Sequence, residues 1–189
     1  MSSNAMKPID GLCPGKVLIS KSEIEAMVKR LGAEITRDYA GEEILLVCVL
    51  KGAFVFMADL LRAIDLPLET EFIATSSYGA GTRSSGVVRI IKDLDQDISG
   101  KHVIIVEDII DTGLTLAKLS EMLSTRNPKS IELCTAFDKP SRRKTDIFVK
   151  YKGVSIPDEF IVGYGLDYSG QYRQLDEVYI MRDAKTDLE

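Results

Sequence analysis

The feature that most constrains this chain is the segment from Val103 to Thr115, which reads VIIVEDIIDTGLT. Its first four residues are β-branched and apolar, a pattern typical of a strand buried on both faces of a sheet. Glu107 and Asp108 follow that run, and from Leu116 onward apolar residues recur at helical spacing. The segment therefore predicts a buried parallel strand, a short loop of small residues and a helix.

The loop after this strand carries groups that suit a phosphorylated sugar. In an open α/β sheet, ligands bind at the carboxyl ends of the strands, and free backbone N–H groups at a helix start favour phosphate. Thr112 and Thr115 add hydroxyl groups. Because carboxylates repel phosphate, Glu107 and Asp108 are expected to accept hydrogen bonds from a ribose diol or to hold Mg²⁺ through its waters. We therefore predict a phosphoribosyl site.

Three other interpretations of the segment fit less well. A buried strand with charged residues at its exposed end and no function leaves many matched features unexplained. An Asp-Thr-Gly triplet also marks aspartic proteases, but those are all-β chains, whereas a helical pattern follows here. A strand-end acidic pair is also found in phospho-acceptor domains, yet that function does not explain the Thr-Gly-x-Thr turn.

The composition predicts one soluble domain. The chain has 189 residues, 45% of them hydrophobic and 28% charged, which is ordinary globular composition. No run approaches about eighteen apolar residues and no signal peptide precedes the first predicted helix, so we expect a cytoplasmic protein without a membrane partner. The net charge of −5 disfavours nucleic acid as a partner. Residues 1–5 are typical of a cloning remnant, which leaves 6–189 as the domain.

Four scattered residues are predicted to be structural. Cys13, Cys48 and Cys134 are expected to be reduced core residues, because no pair has the spacing of a metal site or a redox motif. His102 is the only histidine and begins the main strand, with no partner visible in the sequence.

A second strand and helix repeat the arrangement around Lys51. The run from Ile44 to Leu50 is apolar, Lys51 and Gly52 follow it, and helical spacing resumes at Phe54. On these residues alone, a plain turn with a solvated lysine is the better interpretation, and a second anion pocket is the alternative.

Three later segments carry candidate groups. The polar, glycine-bearing segment that starts at Ser77 is expected to be a mobile hairpin loop. Lys139 follows another strand, so it can point into the same crevice as Asp111, although the three basic residues after it also favour a solvated turn. Farther along, Phe160 is able to stack on a purine ring and Asp167 to reach a metal or the base edge.

These segments together resemble one family. E-D-I-I-D-T-G-x-T is similar to the phosphoribosyl-diphosphate (PRPP) loop of the type I phosphoribosyltransferases, in the form carried by their hypoxanthine-guanine branch. V-L-K-G-x-x-x-F around Lys51, the Ser-Tyr pair at 77–78 and the block I-P-D-E-F-I-V-G-Y-G-L-D-Y extend the resemblance from Leu46 to Met181. It implies an α/β fold: a mainly parallel central sheet flanked by helices, a flexible loop, and a small hood built from the N-terminal segment and residues 150–180.

The resemblance also implies a role for each matched residue, with Asp111 as the catalytic base. The groups expected at the phosphoribosyl site are Glu107, Asp108, Ile109, Ile110, Asp111, Thr112, Gly113, Leu114 and Thr115. Those expected at the pyrophosphate are Lys51, Gly52 and Arg173, with a cis peptide bond between Leu50 and Lys51. Those expected at the purine are Lys139, Phe160, Ile161 and Asp167. Those expected at the metal are Glu107, Asp108 and Asp167, and the lid is expected to begin at Ser77 and Tyr78.

The implied activity is purine salvage with Mg²⁺ as cofactor. The 5-phosphoribosyl group of PRPP would pass to N9 of hypoxanthine, and also of guanine, with release of pyrophosphate. The lysine at position 139 would donate to a 6-oxo group, which a 6-amino purine lacks. Two alternatives stay open: a xanthine-preferring transferase, and a regulator of the same fold that senses PRPP without catalysis. A homodimer or homotetramer is the expected assembly.

Overall fold

The computed structural model describes residues 6–77 and 88–187, which form two sheets and their flanking helices. The elements are, in chain order, β1 (Leu12–Ile19), α1 (Lys21–Asp38), β2 (Ile44–Leu50), α2 (Phe54–Ala63), β3 (Leu68–Ser77), β4 (Val88–Lys92), β5 (His102–Ile110), α3 (Leu114–Ser124), β6 (Ser130–Asp138), β7 (Tyr151–Ser155), β8 (Ile161–Val162) and β9 (Val178–Asp183). Short 3₁₀ turns follow β6 at Pro140–Arg142 and β9 at Ala184–Asp187.

The larger sheet is mainly parallel, as expected. Its order is β4-β3-β2-β5-β6-β7, and only β4 runs antiparallel to its neighbour. The two predicted apolar runs, β2 and β5, lie side by side at the centre, with Ile44 opposite His102 and Cys48 opposite Val106. Strand β5 continues to Ile110, so Glu107 and Asp108 lie within it, whereas the apolar run predicted that they follow it directly. Because parallel strands in this register end at the same edge, Lys51 still lies on the same side of the sheet as Glu107.

Helices cover both faces of this sheet. Alternate residues of β2 and β5 pack on one face with α1 and α2, and the remaining ones pack on the other face with α3. Helix α1 begins with a capping box: Ser20 Oγ accepts a bond from Glu23 N, and Glu23 Oε2 accepts one from Ser20 N at 2.8 Å. Two apolar layers therefore hold the central strands in place.

The smaller sheet, which we call the hood, contains β1, β9 and β8 in antiparallel order. Sequence periodicity does not reveal β1, because its pairing with β9 shifts register after Pro14 and again after Val17. The hood has its own apolar cluster, centred on Val162, Tyr172 and Leu175. It joins the N-terminal segment to the end of the chain.

The residues predicted to be structural lie inside the core or at the edge of the sheet opposite the carboxyl ends of the parallel strands. All three cysteines are free and buried, and burial raises the pKa of Cys48 to about 12. His102 starts β5 at the opposite edge of the sheet, where its Nδ1 lies 2.7 Å from Ser130 Oγ. Within residues 6–77 and 88–187, no helix has the length and apolarity needed to cross a bilayer.

Candidate active site

A cavity of about 360 Å³ lies where β2 and β5 end. It is lined by Val49, Leu50, Lys51, Gly52, Thr75, Glu107, Asp108, Ile109, Ile110, Asp111, Thr112, Gly113, Thr115, Leu116, Asp167 and Arg173. Four segments that are distant in sequence therefore contribute to one polar cavity. A larger groove of about 530 Å³ lies between α1, α2 and the turn before β9, but its lining is mainly apolar and lacks the strand-end carboxylates.

The loop from β5 to α3 presents backbone N–H groups to this cavity. Gly113 has a φ of +79°, and a Cβ there would also lie 3.1 Å from methyl groups of Thr145 and Ile147. The first helical hydrogen bond runs from Ala117 N to Gly113 O at 2.9 Å. The amides of residues 114–116 therefore have no partner within the helix, although Leu114 N also donates to Thr112 Oγ1 at 3.4 Å. Amides at such a helix start suit an anion.

Glu107 and Asp108 form a partly buried pair of carboxyl groups on the cavity wall. Burial, together with the adjacent Asp108, raises the pKa of Glu107 well above the usual range of a glutamate. Burial also raises the pKa of Asp108, although its Oδ1 accepts a 2.7 Å bond from Ile109 N. Such a pair is stabilised by hydroxyl donors or by a cation.

Close packing joins the two strand-end loops. A Cβ on Gly52 would lie 1.4 Å from Asp108 Oδ2, so only glycine allows this approach. On the other side, a Cβ on Gly165, whose φ is +95°, would lie 2.1 Å from Gly52 O. The peptide bond between Leu50 and Lys51 is cis, as the resemblance implied. The Lys51 loop is thus packed between β5 and the turn that contains Gly165.

Arg173 is held at the cavity by two bonds from its guanidinium group. Nη1 donates to Gly165 O and Nη2 contacts Asp167 Oδ1, both at 2.6 Å. Asp167 Oδ2 accepts a bond from Gly170 N at 2.7 Å, so both of its oxygens are already engaged. The arrangement leaves a fixed cation facing the Lys51 loop.

Asp111, at the top of the loop, makes an ion pair that the sequence did not reveal. Arg142 Nε donates to Asp111 Oδ1 at 3.0 Å, and this bond raises the pKa of Arg142. Arg142 Nη1 also lies 3.7 Å from Asp158 Oδ2 in the segment before β8. The sequence showed Arg142 only as one of three basic residues after Lys139, which is also the pattern of a solvated turn.

Other contacts that support the site lie behind the loop. Arg143 is paired with the buried Asp138, and its Cδ would lie 3.2 Å from a Cβ on Gly113. Tyr164 donates to Asp59 Oδ2 at 2.8 Å, which links the hood side to α2 across 105 positions. No local motif indicates a contact of that separation.

Of the predicted purine contacts, Asp167 lines the cavity, whereas Lys139, Phe160 and Ile161 lie beside it. Lys139 Nζ donates to Glu159 O at 2.6 Å, and the Phe160 ring is 52% exposed and meets Tyr168 edge-on at 5.7 Å. Ile161 is buried in β8. Leu114 starts α3 next to the cavity-lining residues. Ser77 ends β3, whereas Tyr78 and the rest of the predicted lid fall outside the described residues.

The described part of the chain contains no group of three or more His, Cys, Asp or Glu side chains arranged to hold a metal. Mg²⁺ commonly binds through one or two carboxylates, waters and substrate phosphates, without a cage made of protein ligands alone. The Glu107 and Asp108 pair fits that donor set. Asp167 would first have to exchange its bond with Arg173.

Comparison with known proteins agrees with this geometry. Residues 19–169 match the family model described as phosphoribosyl transferase domain. The chain is 52% identical over 165 residues to a hypoxanthine phosphoribosyltransferase of Salmonella typhimurium, covering 86% of this chain and 93% of that protein. It is 49% identical over 176 residues to a hypoxanthine-guanine phosphoribosyltransferase of Mycobacterium avium, covering 88% and 87%.

A solved structure of a similar protein has the same fold. The crystal structure of a hypoxanthine-guanine phosphoribosyltransferase from Bacillus anthracis, with a HEPES molecule in its active site, superimposes with a TM-score of 0.86 at 45% identity. The match covers 90% of this chain and 99% of that one. With the family model covering most of the chain and the strand-end loops in place, the chain belongs to the phosphoribosyltransferase family.

Proposed function

We propose that this protein transfers the 5-phosphoribosyl group of PRPP to N9 of hypoxanthine, with guanine as a second substrate, and releases pyrophosphate. The observation that carries the proposal is the single cavity in which the helix-start amides, the Glu107 and Asp108 carboxyls and the cations Lys51 and Arg173 meet. The names of the relatives support hypoxanthine and guanine as the bases.

We assign the phosphoribosyl end of the substrate to the β5 to α3 loop. The 5′-phosphate would bind the amides and hydroxyls of residues 111–115, and the ribose hydroxyls would donate to Glu107 and Asp108. This arrangement gives each member of the raised-pKa carboxyl pair a hydrogen-bond donor. It also places negative charge beside the ribose, which becomes cation-like as pyrophosphate departs.

The leaving group belongs at the opposite wall of the cavity. Lys51, the amide of Gly52 and Arg173 would stabilise the negative charge that develops on pyrophosphate. When bound, Mg²⁺ would neutralise further charge on the diphosphate. Glu107 and Asp108 would hold the ion through waters, and Asp167 would contribute after releasing Arg173.

The purine belongs between the loop and the hood. Lys139 would donate to the 6-oxo group, Phe160 would stack on the ring, and the backbone of Ile161 and the carboxylate of Asp167 would meet the base edge. Support comes from the bond that ties Lys139 to Glu159, one residue before the ring. Asp111 would accept the proton from N7 as the general base.

Four further proposals rest on the resemblance and on family membership. Residues 6–189 form one domain, whose hood takes β1 from the N-terminal segment and β8 and β9 from the later one, whereas β7, within the expected range of about 150–180, belongs to the larger sheet. Ser77 and Tyr78 begin a lid that shields the reacting centre from water. The protein works in the cytoplasm as a homodimer or homotetramer.

The direct test is an assay with PRPP, Mg²⁺ and one of five bases: hypoxanthine, guanine, xanthine, adenine or uracil. We expect pyrophosphate release with hypoxanthine and guanine and little with adenine, because a lysine donor needs an acceptor at position 6. Preference for xanthine would favour the xanthine-specific alternative. PRPP binding without turnover of any base would favour the regulator.

Replacing the proposed base tests the mechanism. Asp111→Asn removes the proton acceptor but keeps the size of the side chain, so kcat should fall by about 10²-fold or more. Affinity for PRPP, measured by calorimetry, should persist because the loop amides are unchanged. A kcat near that of the wild type would remove Asp111 from the proton transfer.

Gly52→Ala tests the contact between the two loops. The added Cβ would collide with the end of the Asp108 side chain, which can rotate away, so the fold should survive while the ribose site is distorted. We expect PRPP affinity to fall by about tenfold, which corresponds to about 1.4 kcal/mol. The matched control is Gly15→Ala, because a Cβ at Gly15 would likewise meet a side chain, that of Arg182 at 2.5 Å, and the residue lies outside the cavity. Equal affinities for the two variants would contradict this geometry.

A further inference from the structure

We propose that Arg142 is a positioning residue that orients the Asp111 carboxylate for proton transfer from the purine. The inference rests on the proposed function, in which Asp111 is the base. Arg142 Nε donates to Oδ1 of Asp111 at 3.0 Å. Within the described part of the chain, Oδ2 of Asp111 has no hydrogen bond, so one carboxylate oxygen is held while the other is left to accept a proton at the cavity that Asp111 lines.

The position of Arg142 is fixed by the backbone around it. Lys139 N donates to Ile110 O at 2.9 Å, and Lys144 N donates to Thr112 O at 3.0 Å. Ile110 and Thr112, the two acceptors, are the neighbours of Asp111 in sequence. Lys139 and Lys144, the two donors, lie before and after Arg142. A 3₁₀ turn with an Arg142 N to Lys139 O bond of 3.1 Å lies between them. Backbone hydrogen bonds between the two segments therefore hold Arg142 beside Asp111, which a chance contact between surface side chains would not require.

Stability does not account for this ion pair. The Arg142 and Asp111 side chains are 49% and 45% exposed, and exposed pairs typically contribute about 0–1 kcal/mol. Arg142 does not line the described cavity, whereas Asp111 does, so the arginine contacts the site through the Asp111 carboxylate. The other charged groups near it are Asp158, 3.7 Å away, and Lys139, which itself lies 3.9 Å from Asp158. The role that we assign to Arg142 is therefore to orient the carboxylate of Asp111, the proposed general base.

In the proposed step, N9 forms a bond to C1 of the ribose while the bond from C1 to the pyrophosphate oxygen breaks. The N7 proton passes to Oδ2 of Asp111. A carboxylate that rotates freely presents Oδ2 to N7 for only part of the time, whereas the Arg142 bond to Oδ1 restricts that rotation. Arg142 keeps its own protons and does not touch the substrate.

A double-mutant cycle tests this role. Arg142→Ala should lower kcat by about tenfold, a fraction of the general-base contribution, and leave KM for PRPP within about twofold. In an Asp111→Asn background, Arg142→Ala should have no further effect on kcat, since the base through which it acts is already gone. Arg142→Lys, which keeps a cation in reach, should recover most of the lost rate.

The matched control is Arg126→Ala, which removes an arginine paired with Asp93 at 2.8 Å outside the cavity. It should leave kcat unchanged, and the thermal unfolding midpoint of each variant should stay close to that of the wild type. Additive losses in the cycle, an effect confined to KM for PRPP, or wild-type kcat in Arg142→Ala would overturn the positioning role and leave the proposed function intact. Absence of transferase activity in the wild type would overturn both.

Discussion

The register between two buried strands is the constraint on which the site depends. Because Ile44 lies opposite His102 and Cys48 opposite Val106, β2 and β5 end at the same edge of the sheet. Their paired runs, Ile44–Leu50 of β2 and residues 103–106 of β5, are apolar and are covered by helices on each face, so the register cannot slip without exposing core residues. Packing in the core thereby determines where the Lys51 loop meets the carboxyl groups of Glu107 and Asp108.

Small residues convert this register into a usable cavity. Gly52 and Gly165 allow the Lys51 loop to pack between Asp108 and the turn after β8 that contains Gly165, with no room for a side chain at either glycine. Glu107 and Asp108 are partly buried in the wall of this cavity, and burial is the main cause of their raised pKa values. Hydroxyl donors from a ribose would stabilise the ionised form of these buried carboxyls, and the amides at the helix start suit a phosphate.

The sequence predicted the central part of this arrangement because its determinants are local. The apolar run of β5, the small-residue loop after it and the helical spacing of α3 all lie within about two dozen consecutive residues. Over such a range the periodicity of apolar residues is informative. The long-range side-chain contacts that support the site were not predictable from the sequence. Arg142 meets Asp111 across 31 positions and Tyr164 meets Asp59 across 105, and neither pair belongs to a local pattern. Strand β1 was missed because its register shifts break the alternation that marks a strand.

A crystal structure with a purine nucleoside 5′-monophosphate bound tests the central claim most directly, since it locates the phosphate and the ribose at once. The phosphate oxygens should lie within hydrogen-bond distance of the backbone N–H groups of residues 112–115, with the ribose hydroxyls on Glu107 and Asp108. A phosphate bound at the Lys51 loop or in the groove between α1 and α2, with the β5 to α3 loop empty, would contradict the assignment.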